Sequence, residues 1–258
     1  MAQRLERGAR DFAALARYAR ELNADVIALQ EVDGEEAARL VFPGHAFCFT
    51  GRPHVQNNGF AIRAGVPHRC GPDLKPLSLS DSLRRGAQLV LYPGEPREIH
   101  LLSVHLKSGC STQPLVGEDK ACRQLARQIP ELRYWIDEQE RAGRPYAVLG
   151  DFNRDLLGDT GAGHGLWQQL TAPPEERLVI AARGQPFRNC VPGQAYAGYI
   201  DHIVLSRGLA AGVLPGSFER ITYRPADARH ARLSDHCPVA VRTHIEQIPP
   251  GRGGGPGS

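Results

Sequence analysis

Long apolar runs are absent from this chain of 258 residues. No stretch approaches the roughly 20 consecutive apolar residues that a membrane-spanning helix needs. The first residues, "MAQRLERGARDF", are polar and charged, so they lack the apolar segment of a secretory signal peptide. Apolar residues still make up 41% of the chain, which is typical of a folded protein with a sizeable core. We therefore expect one domain over residues 1–246, followed by a disordered Gly/Pro-rich tail over residues 247–258.

Several hydrolase motifs are also missing. There is no GxSxG turn for a serine nucleophile, no HExxH helix for a zinc protease and no CxxC pair for a zinc ribbon. No cysteine lies in a setting that marks it as a nucleophile. The net charge of +3 is modest, so it permits a polyanionic partner without requiring one.

Six cysteines are present, and they leave two alternatives open. Cys110 and Cys122 flank a short polar loop, "CSTQPLVGEDKAC", and are the best candidates for a disulfide. The other alternative is six reduced cysteines in the core. A disulfide would favour a periplasmic or secreted location, whereas reduced thiols would fit the cytoplasm.

The apolar residues that are present fall into short runs. These runs predict about seven strands, at residues 26–32, 59–65, 87–93, 99–106, 146–152, 199–206 and 238–245. Helical spacing predicts helices at 9–23 and 117–142, with a kink or restart at Pro130, and a short helix at 164–170. Direct hairpins alternate with helical connections, which indicates an α/β fold with mixed sheets flanked by helices.

Polar side chains capable of acid–base or metal chemistry follow the ends of these strands. The groups are Gln30-Glu31, His105 with Lys107 and Ser108, Asp151 with Asn153, Asp201-His202 and Ser234-Asp235-His236. Each group alone has an ordinary explanation, such as a solvated strand end, a core histidine or a helix cap. Their recurrence at strand ends predicts instead that they meet in one cleft.

The chemistry of this set points to phosphorus. Several carboxylates held close together repel one another, so a cation is expected among them. Oxygen ligands without paired thiolates favour Mg²⁺, Mn²⁺ or Ca²⁺. A histidine oriented by an aspartate adds an acid–base group. A metal, an oriented water and a His–Asp pair together indicate attack of water on a phosphate ester.

The motifs "ALQEV", "VHLKS", "LGDFN", "YIDHIVLS" and "LSDHCPV", in this order, resemble the endonuclease/exonuclease/phosphatase superfamily. This superfamily includes deoxyribonucleases, abasic-site endonucleases, sphingomyelinases and inositol polyphosphate 5-phosphatases. The resemblance covers about residues 10 to 245. It implies a four-layer sandwich, in which two mixed β-sheets pack face to face with helices outside.

The resemblance also implies roles for individual residues. Glu31 and Asp235 resemble metal ligands of the family. Asp151 resembles the carboxylate that orients or deprotonates the attacking water, and it is also expected to be a metal ligand. Asn153 resembles the amide that holds a phosphate oxygen. Asp201 resembles the partner of the histidine that contacts the scissile phosphate, here His236.

Two further positions follow from the same resemblance. His105 lies where deoxyribonuclease-like members carry another catalytic histidine and abasic-site enzymes carry a tyrosine motif, which argues against abasic-site repair. Lys107 is a candidate phosphate contact.

The chain departs from the family pattern in two places. Members begin with a strand similar to "TWNV", whose asparagine belongs to the metal site, and the chain lacks this strand. Deoxyribonuclease-like members also carry a glutamate where this chain has Gln56, Asn57 and Asn58. We therefore expect His105 to lack an acidic partner.

The sequence thus predicts a Mg²⁺-, Mn²⁺- or Ca²⁺-dependent phosphodiesterase, monomeric and not inserted in a membrane, that acts on nucleic acid with low sequence specificity. Loop arginines are candidate phosphate contacts: Arg52, Arg84, Arg85 and Arg154. Two alternatives stay open. One is a phosphodiesterase or phosphatase for lipid head groups or small phosphates, similar to sphingomyelinases or inositol phosphatases. The other is a catalytically impaired binding scaffold.

Overall fold

The computed structural model describes residues 6–51, 56–79, 81, 83–161, 165–171, 177–191, 193, 194 and 196–251. The described strands are β1 (Val26–Val32), β2 (His45–Phe49), β3 (Asn57–Arg63), β4 (His68–Cys70), β5 (Ala87–Leu91), β6 (Ile99–His105), β7 (Tyr146–Asp151), β8 (Leu178–Ile180), β9 (Asp201–Ser206), β10 (Glu219–Arg220) and β11 (Val239–Ala240). The α-helices are α1 (Ala9–Leu22), α2 (Glu35–Arg39), α3 (Lys120–Arg141), α4 (Leu166–Thr171), α5 (Arg207–Ala210) and α6 (Pro225–His230).

Two sheets dominate the fold. The larger sheet has the order β4-β5-β6-β7-β9-β8, and β6 and β7 form a parallel pair among antiparallel neighbours. The smaller sheet has the order β1-β3-β2 and is antiparallel. β10 and β11 form a separate antiparallel pair. The larger sheet is therefore mixed, because a helical crossover, α3, joins β6 to its parallel neighbour.

The two sheets pack face to face. Phe60 and Ile62 of the smaller sheet share an apolar cluster with Leu89, Leu101 and Ile203 of the larger one. On its other face, the larger sheet is covered by α3 and α4 through a second cluster. The outer face of the smaller sheet packs against Ala38 of α2. The layer order is helix, sheet, sheet, helix, which confirms the predicted four-layer α/β sandwich.

α3 shows how the sequence pattern determines the packing. Its predicted apolar positions all lie in the core: Leu125, Ile129, Leu132, Trp135 and Ile136. The Asp119 side chain caps the helix by accepting a hydrogen bond from the Cys122 amide at 2.8 Å. Of the kink or restart predicted at Pro130, the restart is wrong, since the helix runs without interruption from Lys120 to Arg141. The apolar face on both sides of the proline holds the helix together through tertiary packing.

The other predicted elements match with shifted ends. The helix expected at 9–23 spans Ala9–Leu22. The last predicted strand, at 238–245, is mostly irregular, and only Val239–Ala240 is paired as a strand. β2, β4, β8 and β10 were not predicted, because they are short or contain polar residues. No helix among the described residues is long and apolar enough to cross a membrane.

All six cysteines form disulfides. The predicted pair Cys110–Cys122 is confirmed. The alternative of six reduced cysteines is wrong, since Cys48–Cys70 and Cys190–Cys237 are also bonded.

The folded chain extends past residue 246. Ile248 lies in the segment expected to be a disordered tail, yet it is 1% exposed and belongs to the cluster between the sheets. The Gly251 amide donates to the Pro96 carbonyl. Apolar burial therefore holds the chain as far as Gly251, and residues 252–258 lie outside the described residues.

Candidate active site

Three candidate residues form a row across the larger sheet. In the parallel pairing of β6 with β7, His105 is aligned with Asp151, and in the antiparallel pairing of β7 with β9, Asp151 is aligned with Asp201. Aligned residues on neighbouring strands project to the same face. The structure therefore places three of the predicted catalytic side chains at one end of the central strands.

Gly150 allows the strands to approach closely beside this row. Its φ is +130°, and a Cβ atom there would lie 2.2 Å from the Val104 carbonyl oxygen and 2.9 Å from the Gln30 side chain. Only glycine adopts this conformation without strain and leaves room for both neighbours. The glycine before Asp151 thus serves the packing of β7 against β6 and β1.

Asp151 is the most buried carboxylate of the row, with 5% of its surface exposed. Both of its oxygens accept hydrogen bonds from Asn153, Oδ1 from the backbone amide at 2.7 Å and Oδ2 from Nδ2 at 3.0 Å. Burial and the negative charge of Asp201 raise the pKa of Asp151 to about 7, against the opposing effects of His236 and the Asn153 amide. Asp151 can therefore exchange a proton near neutral pH.

Asn153 is held in place as tightly as the carboxylate it contacts. Its φ is +51°, a left-handed conformation that asparagine tolerates better than most residues. Its Nδ2 donates to the Leu106 carbonyl as well as to Asp151. Between the two, Phe152 is fully buried, as its position in the "GDFN" motif predicts.

His236 reaches the row from the loop before β11. Its Nδ1 lies 2.8 and 3.0 Å from the two oxygens of Asp201, and its Nε2 lies 4.0 Å from Oδ2 of Asp151. Burial alone would lower the pKa of His236. The hydrogen bond to Asp201 and the charges of Asp201, Asp151 and Asp235 outweigh burial and raise the pKa to about 9. The imidazole is therefore a cation at neutral pH.

The His105 imidazole, in contrast, is uncharged at neutral pH. Its burial, together with the positive charges of Arg84 and His236, lowers its pKa to about 3. The expectation that His105 lacks an acidic partner is wrong. Nε2 lies 3.3 Å from Oδ2 of Asp151, and Nδ1 lies 3.7 Å from Oε1 of Glu31. The acidic neighbours come from β7 and β1, and Gln56 instead accepts a hydrogen bond from Arg84.

Glu31 lies at an irregularity of β1. Its φ is +58°, and the pairing of β1 with β3 shifts register between Leu29 and Val32. Its side chain remains 44% exposed, and Oε1 accepts a 2.7 Å hydrogen bond from Nη2 of Arg84. The bulge thus turns the Glu31 carboxylate toward His105 while leaving part of it open to solvent.

The residues present fit a hard divalent cation. Side-chain atoms of Asp151, Asp201 and His236 form a three-residue set within 4.8 Å of one another. The two carboxylates of this set, and not the protonated His236, are the groups that would attract a cation. Nδ1 of His105 is buried without a hydrogen-bond partner, on the side that faces the Glu31 carboxylate. An excess of carboxylates and an unsatisfied buried nitrogen are the features that a bound cation and its waters relieve.

The predicted metal ligands differ in how closely the structure groups them. Asp151 belongs to the three-residue set, and Glu31 approaches it through His105. Asp235 is exposed and lies close enough to raise the pKa of His236, but the described contacts do not join its carboxylate to the set. The ligand assignment of Glu31, Asp235 and Asp151 stays a prediction.

The basic residues predicted to contact phosphate differ in whether acidic side chains already pair with them. Arg154 is buried in an ion pair with Asp159, and Arg85 pairs with Asp73 and Asp81. Their predicted role as free phosphate contacts is therefore wrong, because acidic neighbours already neutralise them. Lys107 is half-buried, and its Nζ donates to the Ser108 carbonyl. Arg52 lies outside the described residues.

Two features of the site had little or no signal in the sequence. The Arg84–Glu31 ion pair joins positions 53 residues apart, and nothing in the local pattern distinguishes Arg84 from Arg85. Tyr196 lies with its ring centroid 6.5 Å from that of His236. His202, by contrast, is a core residue, since it is 1% exposed and its Nε2 lies 3.0 Å from the Arg154 carbonyl.

The family model described as "Endonuclease/Exonuclease/phosphatase family" matches residues 4–236. The chain belongs to this family. Its members are hydrolases that act on phosphoesters and depend on divalent metals, so the match agrees with the carboxylate and imidazole cluster. No curated protein matches the chain in sequence at a significant level.

Solved structures show the same fold at low sequence identity. A truncated TDP2 from Caenorhabditis elegans is 14% identical with a TM-score of 0.63, over 90% of this chain and 89% of that one. The 3'-5' exonuclease NExo from Neisseria meningitidis is 18% identical with a TM-score of 0.61, over 91% and 96%. The mannosyl-6-phosphatase Bt3783 from Bacteroides thetaiotaomicron is 17% identical with a TM-score of 0.59, over 90% of each chain. These likenesses establish the fold of the family, whose members act on different phosphate esters.

Proposed function

We propose that this protein is a metal-dependent phosphodiesterase that hydrolyses nucleic acid with low sequence specificity. The observation that carries the proposal is the contact set of Asp151, Asp201 and His236 at the ends of β7 and β9. It combines a carboxyl group that titrates near neutral pH with an imidazole that stays protonated.

In this proposal Asp151 is the general base. With a pKa of about 7, its carboxylate form can accept a proton from water at neutral pH. The two hydrogen bonds from Asn153 hold the carboxylate in one orientation. A base fixed in this way directs the water toward a phosphorus atom above the row.

His236 supplies positive charge next to the base, with Nε2 4.0 Å from Oδ2 of Asp151. Asp201 binds Nδ1, which leaves Nε2 directed toward Asp151 and the cleft between them. An imidazolium there can donate to a phosphate oxygen and stabilise the charge that develops on it. The neutral His105 lies beside this base, with Nε2 3.3 Å from Oδ2 of Asp151.

Glu31, Asp151 and Asp235 are the residues that would hold the divalent cation. When bound, Mg²⁺ would polarise the phosphate and lower the pKa of a coordinated water. Lys107 would complete the site as a contact to a phosphate oxygen. Asn153, the other predicted phosphate contact, already donates its Nδ2 hydrogens to Leu106 and Asp151, so its role in this proposal is to hold the base.

The nucleic-acid assignment rests on the family, on the shared fold and on one exposed ring. The family includes nucleases, and NExo, which shares the fold, is named as a 3'-5' exonuclease. Bt3783 shares the fold equally and is named as a mannosyl-6-phosphatase. The exposed ring of Tyr196 beside His236 favours a substrate with a planar group near the phosphate.

Hydrolysis of bis-p-nitrophenyl phosphate with and without Mg²⁺ tests the chemistry. The variants Asp151→Asn and His236→Ala should lose at least about 100-fold in kcat/KM. The matched control is His100→Gln, since His100 forms a similar pair with Glu98 at the opposite end of β6, with Nε2 2.6 Å from the carboxylate. Full activity in both site variants would refute the assignment, and no Mg²⁺-dependent turnover by the wild type would favour the binding scaffold.

A second assay tests the substrate. Supercoiled plasmid, sphingomyelin vesicles and an inositol polyphosphate are offered to the same enzyme under the same conditions. Nicking of the plasmid supports the proposal. Hydrolysis of the lipid or the inositol phosphate without nicking would replace it with a head-group phosphoesterase.

The disulfides support an oxidising compartment, either the periplasm or the outside of the cell. Cys48–Cys70, Cys110–Cys122 and Cys190–Cys237 account for every cysteine of the chain. Such pairing persists where glutathione does not keep thiols reduced. Thiol counting on protein isolated from its native host, under alkylating conditions, tests this assignment, and six free thiols would contradict it.

A further inference from the structure

One exposed aromatic ring lies directly against the candidate active site. Tyr196 belongs to the segment that connects β8 with β9, and it is 41% exposed. Its ring centroid lies 6.5 Å from that of His236, with the two planes inclined by 45°. Among the described residues, the other exposed large apolar side chains, such as Tyr134 on α3, make no ring contact with a site residue.

The phenol ring is neutral in this position. Desolvation raises the pKa of Tyr196, and the negative charges of Asp235, Asp151 and Asp201 raise it further. Tyr196 is therefore close enough for the carboxylates of the site to raise its pKa, and its hydroxyl group stays protonated at neutral pH. It presents an uncharged aromatic face at the edge of the cleft.

The segment that carries Tyr196 is fixed to the loop that carries His236. Cys190 is bonded to Cys237, the residue after His236. Gln194 donates through Nε2 to the Asp235 carbonyl at 2.6 Å and accepts through Oε1 from the Cys190 amide at 2.9 Å. The position of the ring relative to His236 is thus set by a covalent bond and by hydrogen bonds on both sides.

Further contacts support the segment on either side of Tyr196. The Tyr196 amide donates to Oδ1 of Asn189 at 3.1 Å. The Arg220 guanidinium lies over the rings of Phe187 and Tyr199, 4.8 and 5.2 Å from their centroids, and donates to the Arg188 carbonyl. These contacts hold the backbone that carries the Tyr196 ring.

We propose that Tyr196 is a specificity-determining residue, whose ring stacks on the base of a nucleotide that adjoins the scissile phosphate at His236. This inference rests on the proposed function and deepens it. Every nucleobase has a flat face, so one stacking surface binds a nucleotide without reading its sequence. A rigid ring also loses little conformational entropy when it binds.

Dinucleotide hydrolysis tests the inference directly. Three substrates are compared in Mg²⁺: thymidylyl-thymidine, and two analogues in which either the 5' or the 3' base is replaced by hydrogen. With thymidylyl-thymidine, Tyr196→Ala should raise KM roughly tenfold with little change in kcat, as expected for the loss of one base stack. With the analogue that lacks the stacked base, Tyr196→Ala and wild type should have the same KM.

Two further variants separate the ring from the hydroxyl and from general effects. Tyr196→Phe keeps the ring, so its KM should stay within about twofold of the wild type. The matched control is Tyr134→Ala, which removes a tyrosine that is 62% exposed on α3. It should leave both kcat and KM unchanged. Circular dichroism of each variant verifies the fold.

The outcomes distinguish this inference from the proposed function. Wild-type turnover of all three substrates with no effect of Tyr196→Ala would overturn the stacking role and leave the phosphodiesterase intact. Equal losses in Tyr196→Phe and Tyr196→Ala would also overturn it, since the hydroxyl would then be the acting group. A wild type that cleaves bis-p-nitrophenyl phosphate but none of the dinucleotides would refute the nucleic-acid assignment, and the stacking role with it.

Discussion

Asp201 binds His236 across 35 residues of sequence, with Oδ1 2.8 Å from Nδ1 of the imidazole. The aspartate starts β9 in register with Asp151, whereas the histidine lies in the loop before β11. The pair therefore joins the central sheet to the chain's last loop region. It also determines the charge of the histidine, because the carboxylate favours the imidazolium over the neutral ring.

Replacing Asp201 with asparagine should move the alkaline limb of the pH–rate profile to lower pH. His236 stays protonated up to about pH 9 in the wild type, and without the carboxylate its pKa should fall toward the ordinary value of 6.5. Activity that needs the imidazolium should then decline above neutral pH. The measurements are kcat/KM between pH 5 and pH 10, and an NMR titration of the His236 ring protons.

The Asp201–His236 pair also affects the free energy of unfolding, and this contribution, like the activity, falls as the pH rises. A histidine whose pKa is raised by folding adds stability below about pH 6.5, and this contribution is lost as the pH rises through about 9. Asp201→Asn should flatten this dependence. Glu98→Gln, at the His100 pair, is the control and should leave the pH–rate profile unchanged. An unchanged alkaline limb in Asp201→Asn would show that His236 does not act as a cation.

Replacing Asp151 with asparagine should abolish activity and increase stability at alkaline pH. Loss of a general base costs about 10² to 10⁴ in kcat. Folding raises the pKa of Asp151 from 3.8 to about 7, so the folded state binds more protons than the unfolded state between these values. Stability therefore falls as the pH rises through this interval, and the neutral amide avoids that loss. Thermal unfolding of both proteins at pH 5 and pH 8, without metal, measures the difference.

Adding Mg²⁺ should reverse the order of stability. A cation that binds the folded state raises the midpoint of unfolding, and it should do so for the wild type more than for Asp151→Asn. Titration of each protein with Mg²⁺ during thermal unfolding gives the shift. Equal shifts in both would show that Asp151 takes no part in metal binding.

The disulfide between Cys190 and Cys237 should matter for both stability and activity. Its sequence separation of 47 residues corresponds to a stabilisation of about 4 kcal/mol, because the bond lowers the entropy of the unfolded chain. Because Cys237 follows His236 directly, replacing both cysteines with serine should also lower kcat/KM under conditions where the protein is folded. Urea unfolding and dinucleotide hydrolysis measure the two effects.

The Cys48–Cys70 pair provides the matched control. It joins β2 to β4, away from His236, and its separation of 22 residues corresponds to about 3 kcal/mol. Replacing these cysteines with serine should cost a similar amount of stability and leave kcat/KM unchanged. Equal losses of activity in the two double variants would mean that only global stability is affected.

The parts of the fold and site that the sequence predicts are those with local signals. β6 and β7 are apolar runs long enough to be recognised, and α3 has a helical repeat of buried residues. "GDFN" places Asp151 and Asn153 on the same side of the strand because side chains alternate along it. The family motifs extend these predictions to Asp201 and His236, which the structure brings into contact.

The remaining features depend on how the loops fold and on how the sheets pack. Arg154 and Arg85 look like free loop arginines in sequence, and only the fold shows that Asp159 and Asp73 neutralise them. The proximity of His105 to Glu31 likewise needs the packing of one sheet on the other. Outside helices, sequence spacing does not show which charges are paired, because the pairing there is set by tertiary position.

Replacing Arg154 with methionine should destabilise the protein without weakening substrate binding. The guanidinium is 3% exposed, and its Nε and Nη2 donate to the two oxygens of Asp159 at 3.0 and 2.6 Å. Its Nη1 donates to the carbonyls of Cys110 and Gln113, which ties the loop after β6 to the loop after β7. Removing one partner of a buried ion pair costs about 3–5 kcal/mol, because the other charge stays buried and uncompensated.

The double variant Arg154→Met with Asp159→Asn isolates the cause of that loss. It removes both charges, so it should recover a large part of the stability that Arg154→Met loses in urea unfolding. KM for thymidylyl-thymidine should match the wild type in both variants, since Arg154 is turned into the protein and away from solvent. A raised KM with unchanged stability would show instead that Arg154 contacts the substrate, as its position one residue after Asn153 first indicates.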